Sequence, residues 1–118
     1  MNQQTRIIKI DKTNRNSDES VRYLQQYYAI RAKAFAEQLG TPRYADKPSV
    51  YDLDDNTVFL LATNEDTVIG GCQLLFSTPE NRKRLKFESP YDSLKIENLL
   101  PHVDTNTLTY AELGGVAV

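Results

Sequence analysis

The chain has 118 residues, 40% hydrophobic and 25% charged, with a net charge of -2, which fits one globular domain with a core of its own. That charge offers no basic field for nucleic acid, and no apolar run reaches the length of a membrane span. A single cysteine, Cys72, excludes an internal disulfide framework and, with a polar N-terminus lacking a signal-peptide core, points to a reducing, cytoplasmic address.

Arg6 to Ile10 is a β-rich run, read as a first strand. In the polar connector Asp11–Ser20, Asn16 and Glu19 have capping-box spacing, so a helix is expected next. Val21, Leu24, Tyr28, Phe35 and Leu39 fall near one face at helical spacing, and Gly40 and Pro42 supply the stop. Phe35 and Leu39 continue that face and are expected to be buried against the hairpin that follows.

Thr41 to Asn56 is a long loop, marked by Pro42, Pro48 and the trio Asp52, Asp54 and Asp55. Loops of this length often carry function. Val58–Thr63 and Thr67–Phe76, joined by Asn64-Glu-Asp66, read as an antiparallel hairpin, with Gly70-Gly71 suggesting a bulge or a close contact. A basic run spans Asn81 to Lys86, and Tyr91 to Leu100 holds a short helix ended by Pro101. The last strand is Thr107 to Val118. Its final part, Ala111-Glu-Leu-Gly-Gly-Val-Ala-Val118, reads as a buried strand reaching the C-terminus in mid-sheet. The expected fold class is α+β: an antiparallel sheet of three to four strands with one main helix packed on it, in a single domain over 1–118.

Few residues carry chemistry. His102 lies in a loop beside Pro101, where solvation is the ordinary fate of a lone histidine. Cys72 sits in an apolar strand, where a thiol usually serves as a small hydrophobe. The acidic trio is either a solvated turn or a place to orient an amine. Arg82, Lys83, Arg84 and Lys86 form either a charged loop face or a patch for phosphates or an acidic carrier. Glu112 is one carboxylate in an otherwise apolar strand: on a buried face it would suit a general base, and on a solvent face it would do nothing special.

Arg31-Ala-Lys-Ala-Phe35, Leu39-Gly40, Tyr51-Asp52, Phe59-Leu-Leu-Ala62, Val68-Ile-Gly-Gly-Cys-Gln-Leu-Leu-Phe-Ser-Thr-Pro79 and Glu112-Leu-Gly-Gly-Val-Ala-Val118 follow one another in this order. The series resembles the N-terminal half of a GNAT-fold acyltransferase, and within that superfamily the acyl-homoserine-lactone (autoinducer) synthases. The chain departs from that pattern at three places. Gln73 stands where the family has an arginine, Gly114-Gly115 where it has Ser-Arg, and Thr41 where a tryptophan is common.

The resemblance implies transfer of an acetyl or acyl group to a small-molecule amine. The donor would be a thioester, acetyl-CoA, acyl-CoA or an acyl carrier protein, and no metal would be needed. It implies Glu112 as the group that polarises or deprotonates the amine. Arg31, Asp52, Asp55 and Gln73 would be substrate-binding, with the Arg82–Lys86 run available to an acyl carrier protein. In the family, the strand matching Ala111–Val118 runs into a glycine-rich loop and a helix that hold the donor's pyrophosphate. The 118 residues do not include that loop, so the expectation is a half-domain that binds acetyl-CoA weakly or not at all, or one that acts by homo- or hetero-association without catalysis. An open strand edge and an apolar face at Leu108, Leu113, Val116 and Val118 lead to the expectation of a homodimer.

Overall fold

The computed structural model describes residues 4–40 (the Leu39 side chain excepted), 47–85, 88 and 95–118. They form β1 (Thr5–Ile10), α1 (Asp18–Leu39), β2 (Thr57–Asn64), β3 (Thr67–Ser77), one helical turn α2 (Ile96–Leu99), a 3-10 turn at Thr105–Thr107, and β4 (Tyr110–Ala117). The strands make one antiparallel sheet in the order β1-β2-β3-β4. The fold is α+β, with one main helix on one face of the sheet.

The helix starts where Ser17, in extended conformation, takes the Ser20 N–H on its hydroxyl at 3.1 Å. The cap is therefore Ser17 and not Asn16, because the helix begins at Asp18 and the Ser17 hydroxyl is the acceptor that meets the third N–H. Ser17→Ala should cost about 1 kcal/mol, whereas Asn16→Ala should stay within about 0.5 kcal/mol. Urea midpoints of the two variants check the assignment, and equal losses would contradict it. At the far end Gly40 adopts φ 71° and its N–H closes on the Ala36 carbonyl at 3.1 Å, the left-handed stop expected of glycine.

The buried face of α1 differs from the apolar stripe read in the sequence. Ser20, Tyr23, Leu24, Tyr27 and Arg31 face the sheet and are buried, while Val21 is 42% exposed and Tyr28 and Phe35 are only half-buried. The Phe35 placement is thus corrected, and the Leu39 side chain lies outside the described residues. The physical reason is that amphipathic side chains occupy the inward stripe: tyrosines bury their rings and lead their hydroxyls to partners. Tyr23 donates to Asp66 at 3.1 Å and Tyr27 to the Gly115 carbonyl at 2.6 Å. These residues pack with Ile10, Phe59, Leu61 and Val68 to form the core.

The β2–β3 hairpin closes through Glu65 and Asp66, both with positive φ (50° and 69°), the two-residue geometry that matches strand twist. Next to the glycine pair, Ala62 faces Gly70 while Thr63 faces Val68, leaving Ile69 as the extra residue of a bulge. A second shift lies between β3 and β4: Gly71 faces Ala117 and Gln73 faces Gly114, so β4 carries the extra residue there.

β4 is an edge strand, and its burial differs from the expected pattern. Only Ala117 is buried, while Leu113 and Val116 are 59% and 61% exposed. The cause is that, among the described residues, α1 covers one face of the sheet and no element covers the other. On the other face Ile7, Leu60, Ala62, Cys72, Leu113 and Val116 line a shallow apolar groove of about 570 Å³. The helix expected in 91–100 is the single turn Ile96–Leu99; residues 91–94 lie outside the described residues.

Candidate functional site

Arg31 lies one turn beyond Tyr27 on the inward stripe of α1 and is 4% exposed. A guanidinium at such a position requires a partner, and the 47–56 loop supplies one. The Arg31 Nη1 donates to Asp52 Oδ1 at 3.0 Å and Nη2 to Oδ2 at 2.9 Å, a bidentate pair. Nη2 also reaches the Lys47 carbonyl at 3.3 Å. The guanidinium carbon stands 5.3 Å from the Tyr27 ring centroid and 4.9 Å from that of Tyr28, within cation–π range of both.

Asp52 accepts two further hydrogen bonds. The Ser49 N–H donates to Oδ2 at 2.8 Å, and the Gln73 side-chain amide donates to Oδ1. The Ser49 hydroxyl in turn accepts the Asp52 N–H at 3.2 Å. Four donors fill the lone-pair positions of one carboxylate. Burial pushes the Asp52 carboxyl up, but the Arg31 guanidinium and the Ser49 N–H outweigh it and hold the group below its ordinary value. Burial likewise opposes the charge of Arg31, and Asp52 more than restores it. Burial pushes the Tyr27 and Tyr28 hydroxyls up to about 12, so both are neutral donors at physiological pH.

Glu112 lies on the same side of the sheet. It faces Leu75 in the β3–β4 register, and Gln73 faces Gly114, so Gln73 and Glu112 are diagonal neighbours beneath α1. Between Glu112 and the end of β4 the strand bulges at Gly115, whose φ is 61°. A Cβ at Gly115 would overlap the Tyr27 hydroxyl and lie 3.5 Å from Arg31 Cδ and 3.6 Å from Gln73 Cγ. The bulge is seated on the Arg31–Asp52–Gln73 cluster, and the position admits no side chain.

Four of the five residues singled out in the sequence therefore come together: Arg31, Asp52 and Gln73 in one hydrogen-bonded cluster, and Glu112 beside it. Asp55 does not join them. It is exposed and pairs with Arg15 at 2.9 Å. Asp54 pairs with Lys83 at 3.2 Å. In the basic run, Arg82 spans to the Thr105 carbonyl at 2.5 Å and stacks 4.9 Å over Tyr110, and Arg84 reaches the Glu88 carbonyl at 3.4 Å. Arg82, Lys83 and Arg84 are thus each tied to neighbouring groups, and Lys86 lies outside the described residues. His102 is exposed, and Cys72 is half-buried in the apolar groove. Tyr27 and Ser49 were not singled out from the sequence, whereas Gly115 was, as one of the two glycines that stand where the resembled pattern has Ser-Arg. Tyr27 was accessible from the period, four residues before Arg31, but Ser49 is legible only once the loop closes on Asp52.

Among the described residues no group of three or more His, Cys, Asp and Glu side chains is placed to hold a metal ion, and no helix is long and apolar enough to cross a membrane. No protein-family profile, curated protein or solved structure matches the chain.

Proposed function

We propose that this chain carries the acceptor side of an N-acyltransferase site of the GNAT kind. The observation that supports the reading is that Glu112, Gln73, Asp52 and Arg31, named by the resemblance, share one face of the sheet under α1. In the proposed reaction the amine nitrogen attacks the thioester carbonyl, the C–S bond breaks and the thiolate leaves. The proton lost by the amine passes to the Glu112 carboxylate, directly or through one water. The donor is acetyl-CoA, an acyl-CoA or an acyl carrier protein. Asp52 acts here as the clamp that fixes Arg31, Gln73 and the loop, since its own oxygens already hold four donors. Glu112→Gln keeps shape and removes the base, so amine-dependent thiol release from the thioester should fall about 10²-fold or more with unchanged secondary structure. A variant as fast as the parent chain would refute the role of Glu112.

The uncovered sheet face favours a second reading, in which the chain acts by association with a copy of itself. Ile7, Ile69, Leu113 and Val116 are 68, 45, 59 and 61% exposed on one contiguous apolar groove, a surface that monomeric proteins rarely leave open. Two such faces stacked about a twofold axis would pack as sheets about 10 Å apart. Light scattering at micromolar concentration should then give twice the 13.4 kDa chain mass, and Leu113→Glu should return it to a single copy. A parent chain that stays at one copy on concentration would end this reading.

A further inference from the structure

A second concavity lies between α1 and the 47–56 loop. Its floor is Leu24 and Phe59, both buried, and its walls are Val21 and Tyr28 of α1 and Pro48 and Leu53 of the loop. It encloses about 480 Å³, within the range of small-molecule sites, roughly 300–1,000 Å³. Val21 and Leu53 are 42% and 59% exposed although apolar, and both border this cleft. Hydrogen bonds within the chain fix the walls. The Leu53 N–H closes on the Ser49 carbonyl at 3.2 Å, and the Arg15 guanidinium binds the Leu53 and Asp54 carbonyls at 3.1 and 3.2 Å.

Charge decides the class of occupant. Among the described residues two charged side chains border the cleft, and both are neutralised within the chain: Arg15 by Asp55 at 2.9 Å, and Asp52 by Arg31 at 2.9 Å. A charged ligand would lose its hydration there and find no free counter-charge among those residues. We propose that this cleft is a binding site for a neutral small molecule with an aromatic or branched-alkyl body. At the roughly 30 Å³ that one water-sized group occupies in a liquid, it takes about fifteen non-hydrogen atoms. The inference is independent of acyl transfer, because it rests on the α1–loop cleft and not on Glu112.

The probe is N-phenyl-1-naphthylamine, which is neutral, of this size, and fluoresces on entering an apolar site. Titration into the full chain should give saturable binding. Val21→Glu and Leu53→Glu each place a charge in the cleft at an exposed position that folding tolerates, and each should weaken binding about ten-fold or more. Leu113→Glu, on the apolar groove of the opposite sheet face, should leave it unchanged. Absence of saturable binding overturns the proposal. So does binding that survives both cleft variants with their circular dichroism intact, or that is lost with Leu113→Glu, since the probe would then report the groove.

Discussion

Asp52→Ala is expected to destabilise the fold by about 3–5 kcal/mol, because it leaves the Arg31 guanidinium buried without its counter-charge. The same substitution releases the Ser49 N–H and the Gln73 amide, so the 47–56 loop loses its carboxylate ties to α1 and β3 together. Replacing both charges by apolar groups, Arg31→Met with Asp52→Leu, should cost less than Asp52→Ala alone, since no unpaired charge remains. The pair is thus expected to show strong coupling in a double-mutant cycle. The pH dependence has a definite sign. The Asp52 carboxyl is held below its ordinary value of 3.8, so its contribution is present above the unfolded value and is lost as pH falls through the lower folded value. Urea midpoints should therefore drop as the solution is acidified below about pH 4. Asp52→Asn should flatten that part of the curve, and an unchanged acid limb would mean that the clamp is not formed in solution.

Gly115→Val is expected to be the second most damaging change. A β-branched residue at φ 61° costs about 1–3 kcal/mol in backbone strain. Its Cβ would also collide with the Tyr27 hydroxyl and break the 2.6 Å bond to the Gly115 carbonyl, about 1 kcal/mol more. Tyr27→Phe should lose the hydroxyl's bonds to the Gly115 carbonyl and to Arg31 without any backbone strain, so chemical denaturation should rank Gly115→Val below Tyr27→Phe. Equal midpoints would show that β4 does not bulge onto the cluster. A side chain at position 115 has no room on this backbone, and the Gln73 amide completes the shell of Asp52.

The order of elements was legible because it rests on strong local signals: the β-rich run with Ile7, Ile8 and Ile10 in β1, the two apolar runs of the hairpin, and Gly40 followed by Pro42 after a long helix. The face of the helix was not. Tyr23, Tyr27 and Arg31 are polar at their tips and do not register as a hydrophobic stripe, yet their hydroxyls and guanidinium find partners only after Gly115, Asp66 and Asp52 arrive from distant segments. Burial of β4 was misjudged for a related reason. An alternation of apolar residues tells which side chains share a face, but not whether a second layer covers it, and here Leu113 and Val116 face away from α1. For the site, Arg31, Asp52, Gln73 and Glu112 were named from the ordered motifs, and the fold brings them to one face. Asp55 was grouped with Asp52 by proximity in sequence, but the turn at Leu53 and Asp54 carries it to Arg15 instead.

The most direct measurement is to incubate the chain with a ¹³C-acyl thioester, offered in turn on CoA and on an acyl carrier protein, and a panel of primary amines, and to analyse the products by mass spectrometry. The account predicts a labelled amide with the parent chain, in proportion to released thiol, and its loss with Glu112→Gln. Labelled amide formed equally by both chains, or by neither, would contradict it.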